Sequence, residues 1–158
     1  MSNHTATNVP VHPSDVDLAA RLARAIGTMQ RRMDLAARGL GLTPTQGWIL
    51  AVIVRSGGVR VGDLSAAHGL NPTMVSRVVT KLEAAQLIDR LVDENDRRSV
   101  RVRATARGVA LAEELRRERA TTLLEALQNL EPGQRAALSE ALPAFEALAA
   151  ATRGRSVA

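Results

Sequence analysis

Asn71-Pro72-Thr73-Met74-Val75-Ser76-Arg77-Val78-Val79-Thr80-Lys81-Leu82 reads as a capped helix with two unlike faces. Asn71 can accept from free N–H groups of a first turn, and Pro72 suits the first helical position. Val75, Val78, Val79 and Leu82 recur at steps of three and four and form an inner side. Thr73, Ser76, Arg77, Thr80 and Lys81 fall on the opposite face. The helix is expected to end at about Ala85. Before it stands a shorter helix, from about Val61 to His68, with Leu64 inward and Gly69 as its stop. Two short helices joined by a tight turn form a helix-turn-helix, whose second helix lies in a DNA major groove with its early residues at base edges. Here those residues are Asn71, Thr73, Met74, Ser76 and Arg77. Hydroxyls and Arg read base edges or hold phosphates, and Met can touch a thymine methyl.

Downstream the period changes. Leu87 to Val92 is a short strand-like run, and Ser99 to Arg103 alternates Val100 and Val102 with Arg101 and Arg103. Between them Asp93 to Arg98 forms a polar hairpin tip, so the pair is expected to be a wing. An Arg at a thin tip, here Arg97 or Arg98, can enter a narrow minor groove, where the negative potential is strongest. Arg60 to Arg107 holds nine basic and six acidic residues, so most of the formal charge excess of +5 lies on this element.

Upstream, Thr43-Pro44 starts a helix carrying Trp48, Ile49, Leu50, Val52 and Ile53, which ends before Gly57-Gly58. A first helix from Asp15 to about Arg38 carries Leu18, Leu22, Ile26, Met29 and Met33 at helical spacing. After the wing, Thr105 opens a long helix to about Leu130. Glu131-Pro132-Gly133 breaks it, and a last helix runs from about Gln134 to Thr152. Pro143 falls inside that helix and is expected to kink or split it. The expected fold is mainly α with a small β-wing. A winged helix-turn-helix lobe covers 43–103, a helical region 15–42 and 104–152, and flexible ends 1–14 and 153–158.

Composition narrows the function. The chain of 158 residues is 46% hydrophobic, enough for a real core, and Trp48 and Phe145 are its only aromatics. It has no Cys, which excludes disulfides, zinc fingers and thiol redox sensing. His4, His12 and His68 have no ligand-like spacing, so no metal or other cofactor is expected. Ser65 and Ser76 have no base nearby in sequence, and Gly57-Gly58 lacks the spacing and Lys of a phosphate loop, so no enzyme signature appears. Neither a signal peptide nor an apolar run of membrane-spanning length is present, so the expected location is the cytoplasm. The sequence pI of about 11.3 permits a polyanionic partner. Lys81 is the only Lys, a skew that fits an Arg-rich codon usage better than a function.

Taken together, Leu42-Thr43-Pro44-Thr45-Gln46-Gly47-Trp48-Ile49-Leu50, Asp63-Leu64, Asn71 to Val79, Lys81-Leu82-Glu83, Leu87 to Arg90 and the wing Asp96-Arg97-Arg98 with Thr105 and Gly108 resemble the MarR family of bacterial transcription factors. The resemblance covers about Asp15 to Thr152. It implies an obligate homodimer in which the first and last two helices interlock, making 15–42 and 104–152 a dimerisation region. It implies that Arg98 enters the minor groove and that Asp96 holds the wing by ion pairs. It also implies a repressor released by small, often phenolic, anionic ligands bound between the dimerisation region and the DNA-binding lobe. Leu111, Leu115, Leu123, Leu127, Leu138, Leu142, Phe145 and Leu148 exceed what so small a lobe needs to bury, in keeping with a dimer. A two-fold dimer implies a pseudo-palindromic double-stranded operator.

The expected DNA contacts are thus Asn71, Thr73, Met74, Ser76, Arg77, Thr80, Lys81, Arg97, Arg98 and Arg101. For an effector, Met29, Met33 and Trp48 offer an apolar wall and Arg32 a partner for a carboxylate; the same apolar residues also fit plain core. Three function classes stay open at this point. One is a ligand-responsive repressor. Another is a winged-helix protein that binds DNA without an effector, as a constitutive or architectural factor. The last is a helical enzyme or protein-interaction module, which leaves the Arg-bearing wing unexplained.

Overall fold

The computed structural model describes residues 13–92 and 100–153. Helix α1 spans Pro13–Gly39 and α2 Pro44–Ser56. Strand β1 (Val59–Arg60), α3 (Val61–His68) and α4 (Pro72–Ala84) follow. The hairpin β2 (Ile88–Val92) and β3 (Val100–Ala104) leads into α5 (Ala106–Gln128) and α6 (Pro132–Arg153). The three strands form one antiparallel sheet in the order β1-β3-β2. Val102 of β3 pairs with Val59 on one side and Arg90 on the other. Strand β1 was not expected. Two residues are too short to show a period, and only pairing with β3 makes them a strand.

The helix starts follow from their caps. Thr43 and Gln46 form a reciprocal capping box: the Thr43 hydroxyl accepts from the Gln46 N–H and the Gln46 side chain accepts from the Thr43 N–H. Asn71 Oδ1 accepts from the N–H groups of Thr73 at 2.9 Å and Met74 at 3.2 Å. Thr105 caps α5 by accepting from the Gly108 N–H. Its own hydroxyl donates to the Gln86 carbonyl and its N–H to the Leu87 carbonyl. The start of α5 is thereby fastened to the turn that ends α4. That turn closes with Leu87 N–H donating to the Leu82 carbonyl and Gln86 N–H to the Glu83 carbonyl. Gln86 takes φ 58°, a left-handed position that glycine usually fills.

One core holds these elements. Ile49, Leu50 and Ile53 of α2 meet Leu64 of α3, Val75, Val79 and Leu82 of α4, Ile88 and Val102 of the sheet, and Leu115 of α5, all fully buried. Leu115 and the half-buried Leu111 therefore belong to this core rather than to a dimer surface. The other surplus residues, Leu123, Leu127, Leu138, Leu142, Phe145 and Leu148, are exposed in the single chain. So are Val16, Leu18 and Leu35 of α1.

Two further expectations need correction. Val100 is exposed, because it pairs with Val92 at the far end of the hairpin, beyond the core. Helix α6 is not split: it runs unbroken through Pro143. The ring deprives the Ser139 carbonyl of its usual N–H donor, and on an exposed helix water can replace that donor. No described helix is long and apolar enough to cross a membrane.

Candidate nucleic-acid interface

Helix α4 divides as its sequence divides. Val75, Val78, Val79 and Leu82 are buried, while Thr73, Ser76, Arg77, Thr80 and Lys81 are exposed. The exposed residues sit at i, i+3, i+4, i+7 and i+8, so they share one face. With Thr43 and Gln46 at the start of α2, Met74, Ser76, Arg77, Val78, Thr80 and Lys81 line a shallow concavity of about 400 Å³. The side chains of Thr43 and Gln46 are committed to their capping box, so α4 supplies the free chemistry of this surface.

An ion pair braces the helix from β2. Arg90 Nε on β2 meets Glu83 Oε2 at 2.7 Å, and Arg90 Nη2 donates to Thr80 Oγ1 at 2.9 Å. The Thr80 hydroxyl in turn donates to the Ser76 carbonyl at 3.0 Å. Thr80 is thus exposed but already bonded, which makes it a positioning residue as much as a contact. Sequence alone missed Arg90, because nothing in a spacing of seven across a turn announces a pair. Arg101 is exposed on β3 opposite Leu91. Asp96, Arg97 and Arg98 lie outside the described residues.

Met74 borders two surfaces. It is half-buried, packs on the core, and lines both the concavity on the α4 face and a separate cleft. The cleft encloses about 650 Å³ between α1, α2, α5 and α6. Ile26, Met29, Met33, Trp48, Leu70, Met74 and Phe145 make its apolar wall, and Gln30, Asp34 and Arg119 its polar one. Met29, Met33 and Trp48 are therefore brought together as expected.

Arg32 is not with them. It lines a groove along α1 with Thr28, Arg31, Asp34, Leu35 and Arg38. Each residue turns a helix by about 100°, so the neighbour of Met33 faces elsewhere. The cation in the cleft is Arg119 of α5, whose Nε is buried with no hydrogen-bond partner among the described residues. Gly47 keeps α5 close at this level: a Cβ there would meet Leu115 Cδ2 at 2.8 Å, with Arg119 Nη2 at 3.9 Å. A glycine inside the α2 pattern was the one local hint that another element approaches here.

Residues 42–100, from just before α2 to the first residue of β3, match the model of the MarR family. The chain is thus similar to the MarR family over that segment. A putative transcriptional regulator from Pseudomonas aeruginosa is 28% identical, over 87% of this chain and 98% of that one, with a TM-score of 0.73. The apo form of MarR from E. coli is 20% identical with a TM-score of 0.75, again over 87% and 98%, a likeness of fold. A mutant of MepR from S. aureus, solved bound to an oligodeoxyribonucleotide, is 23% identical over 82% of this chain and 96% of its own, with a TM-score of 0.63. Among curated proteins, the HTH-type transcriptional regulator YcgE of Bacillus subtilis is 35% identical over 83 residues, 52% of this chain. That match spans about half, 54%, of the relative's length. The MarR-family segment holds the whole α4 face, whereas the cleft draws α1, α5 and α6 from outside it.

Proposed function

We propose that the protein is a cytoplasmic, homodimeric transcriptional regulator that binds a pseudo-palindromic double-stranded DNA operator through α4, and that it carries out no catalysis. The observation that carries this reading is the exposed face of α4, where Arg77, Lys81, Ser76 and Thr73 are presented on a helix capped by Asn71 and braced by Arg90. A helix held this rigidly has little freedom left to lose on docking. In this reading 43–103 is the DNA-binding lobe, and α1, α5 and α6 form the dimerisation region. Arg97, Arg98 and Arg101 contact the duplex beside α4, and Asp96 steadies the wing.

Binding should weaken steeply with salt, because cationic side chains displace condensed counterions from the duplex. Arg77→Ala should cost about 1–3 kcal/mol of affinity for a genome-selected operator, read by fluorescence anisotropy. A relaxed sequence preference would mark Arg77 as a base reader, and a shallower salt slope as a phosphate contact. Unchanged affinity at moderate salt would mean that α4 is not the interface.

The cleft fits a small aromatic anion that releases the DNA. Met29, Met33 and Trp48 supply the apolar wall, and Arg119 replaces Arg32 as the cationic anchor. A ligand releases DNA only if it binds the non-binding arrangement of the two lobes more tightly. Salicylate should change Trp48 fluorescence and lower operator affinity, and Arg119→Gln should abolish both effects while leaving DNA binding intact. A silent Trp48 across a panel of aromatic acids would make these residues plain core.

A further inference from the structure

Apart from Met1, the chain has three methionines, Met29, Met33 and Met74, and all three line the same cleft. We propose that this cluster is an oxidation site: two-electron oxidants such as hydrogen peroxide or hypochlorous acid convert its thioethers to sulfoxides, and the change is transmitted to α4 through Met74.

The distribution of sulfur is the first support. The fully buried core is built from Leu, Ile, Val and Ala alone, so methionine is not used as a general core filler in this chain. It is confined to a cleft that opens to solvent, where Met29 is 38% exposed and Met33 and Met74 are half-buried. With no Cys in the chain, these thioethers are its nucleophilic sulfur. The reaction balances without a cofactor. A sulfur lone pair attacks one peroxide oxygen, an S–O bond forms, the O–O bond breaks, and water leaves after proton transfer. Sulfur is oxidised by two electrons and the peroxide is reduced by two.

Arg119 is the second, independent support. Its Nε–H is buried in the wall of this cleft with no acceptor among the described residues. A buried donor without a partner is costly. A sulfoxide oxygen is a strong acceptor, so oxidation supplies what this donor lacks and lowers the cost of placing a polar S=O group among apolar side chains. The same Arg119 charge disfavours a soft metal cation on the three thioethers.

Met74 couples the site to the surface. It lies in the first turn of α4, its N–H bonded to Asn71, three residues before Arg77. Drawing a lengthened, polar Met74 side chain toward Arg119 shifts the turn that presents Thr73, Ser76 and Arg77. The proposal rests on the DNA-binding reading only for this consequence. The modification itself is read without DNA.

The test treats the full-length protein with hydrogen peroxide and, separately, hypochlorous acid. Mass spectrometry locates added oxygen, Trp48 fluorescence follows the cleft, and anisotropy follows affinity for an operator selected with the untreated protein. The expected result is oxygen on Met29, Met33 and Met74, a shifted Trp48 signal, and a loss of affinity of about tenfold or more. Methionine sulfoxide reductases should restore it, and a thiol reductant alone should not. Met74→Leu, and Met29→Leu with Met33→Leu and Met74→Leu, should resist the oxidant: whatever affinity each variant has before treatment, treatment should leave it unchanged. Oxygen confined to Met1 would overturn the site. Cleft sulfoxides with unchanged affinity, or equal loss in the Leu variants, would overturn the coupling. An untreated protein that binds no duplex would instead refute the DNA-binding reading, with mass spectrometry still deciding the modification.

Discussion

Gly108→Ala should cost about 3–5 kcal/mol, a large part of the total stability of a domain this size. The reason is geometric. A Cβ at position 108 would land on the Leu87 carbonyl, far inside van der Waals contact with its oxygen. That carbonyl cannot move aside, because it accepts from the Thr105 N–H at 3.1 Å and belongs to the turn closing α4. Neither can the start of α5 lift away without breaking the Thr105 cap and its bond to the Gln86 carbonyl. The clash therefore opens the junction that fixes α5 against α4 and β2. The melting temperature, followed by circular dichroism, should fall by about 10 °C or more. Gly62→Ala is the control. Gly62 lies within α3 with nothing near its missing Cβ, so alanine there should be neutral or stabilise by up to about 1 kcal/mol. A Gly108→Ala protein melting within a few degrees of the parent would show that the junction yields, and that this glycine is dispensable.

Leu138→Glu combined with Leu142→Glu should convert a dimer into a folded monomer and lower operator affinity by roughly 100-fold or more, since one half-site can no longer recruit the other. Leu138 and Leu142 are 52% and 54% exposed in the single chain, and with Phe145 and Leu148 they make an apolar stripe at helical spacing along α6. A helix with so much uncovered apolar surface needs a partner, and none of these side chains enters the core of its own chain. In a two-fold interface each substitution acts twice. Two glutamates per chain thus place four charges where apolar contact is lost, at about 1.5–3 kcal/mol for each leucine taken out of burial. The helical signal in circular dichroism should stay close to the parent's. Light scattering should give half the parent's mass. A persistent dimer, or a parent that is itself monomeric at micromolar concentration, would remove α6 from the proposed interface.

The α4 surface was legible from residues near one another in the chain. Asn71 and Pro72 mark its start, and the three-and-four spacing of Val75, Val78, Val79 and Leu82 separates inside from outside. The caps at Thr43 and Thr105 and the glycine stops at Gly57 and Gly69 were legible for the same reason. Each is settled by hydrogen bonds or backbone angles within a few residues. The cleft was legible only in part. Period places Met29 and Met33 on one face of α1, but a face has no direction until something packs against it.

The amino-acid order thus determined which segments are helical, where they begin, and which side of α4 meets solvent, because capping, periodicity and apolar patterning act locally. Everything that depends on the approach of distant segments was decided by the tertiary structure. It selected Arg119 over Arg32 as the cation of the cleft and set Met74 between that cleft and the α4 concavity. It made a strand of Val59–Arg60, held Gln86 in a left-handed turn and joined Arg90 to Glu83. Those outcomes depend on which surfaces exclude water together, and no window of a few residues contains that information.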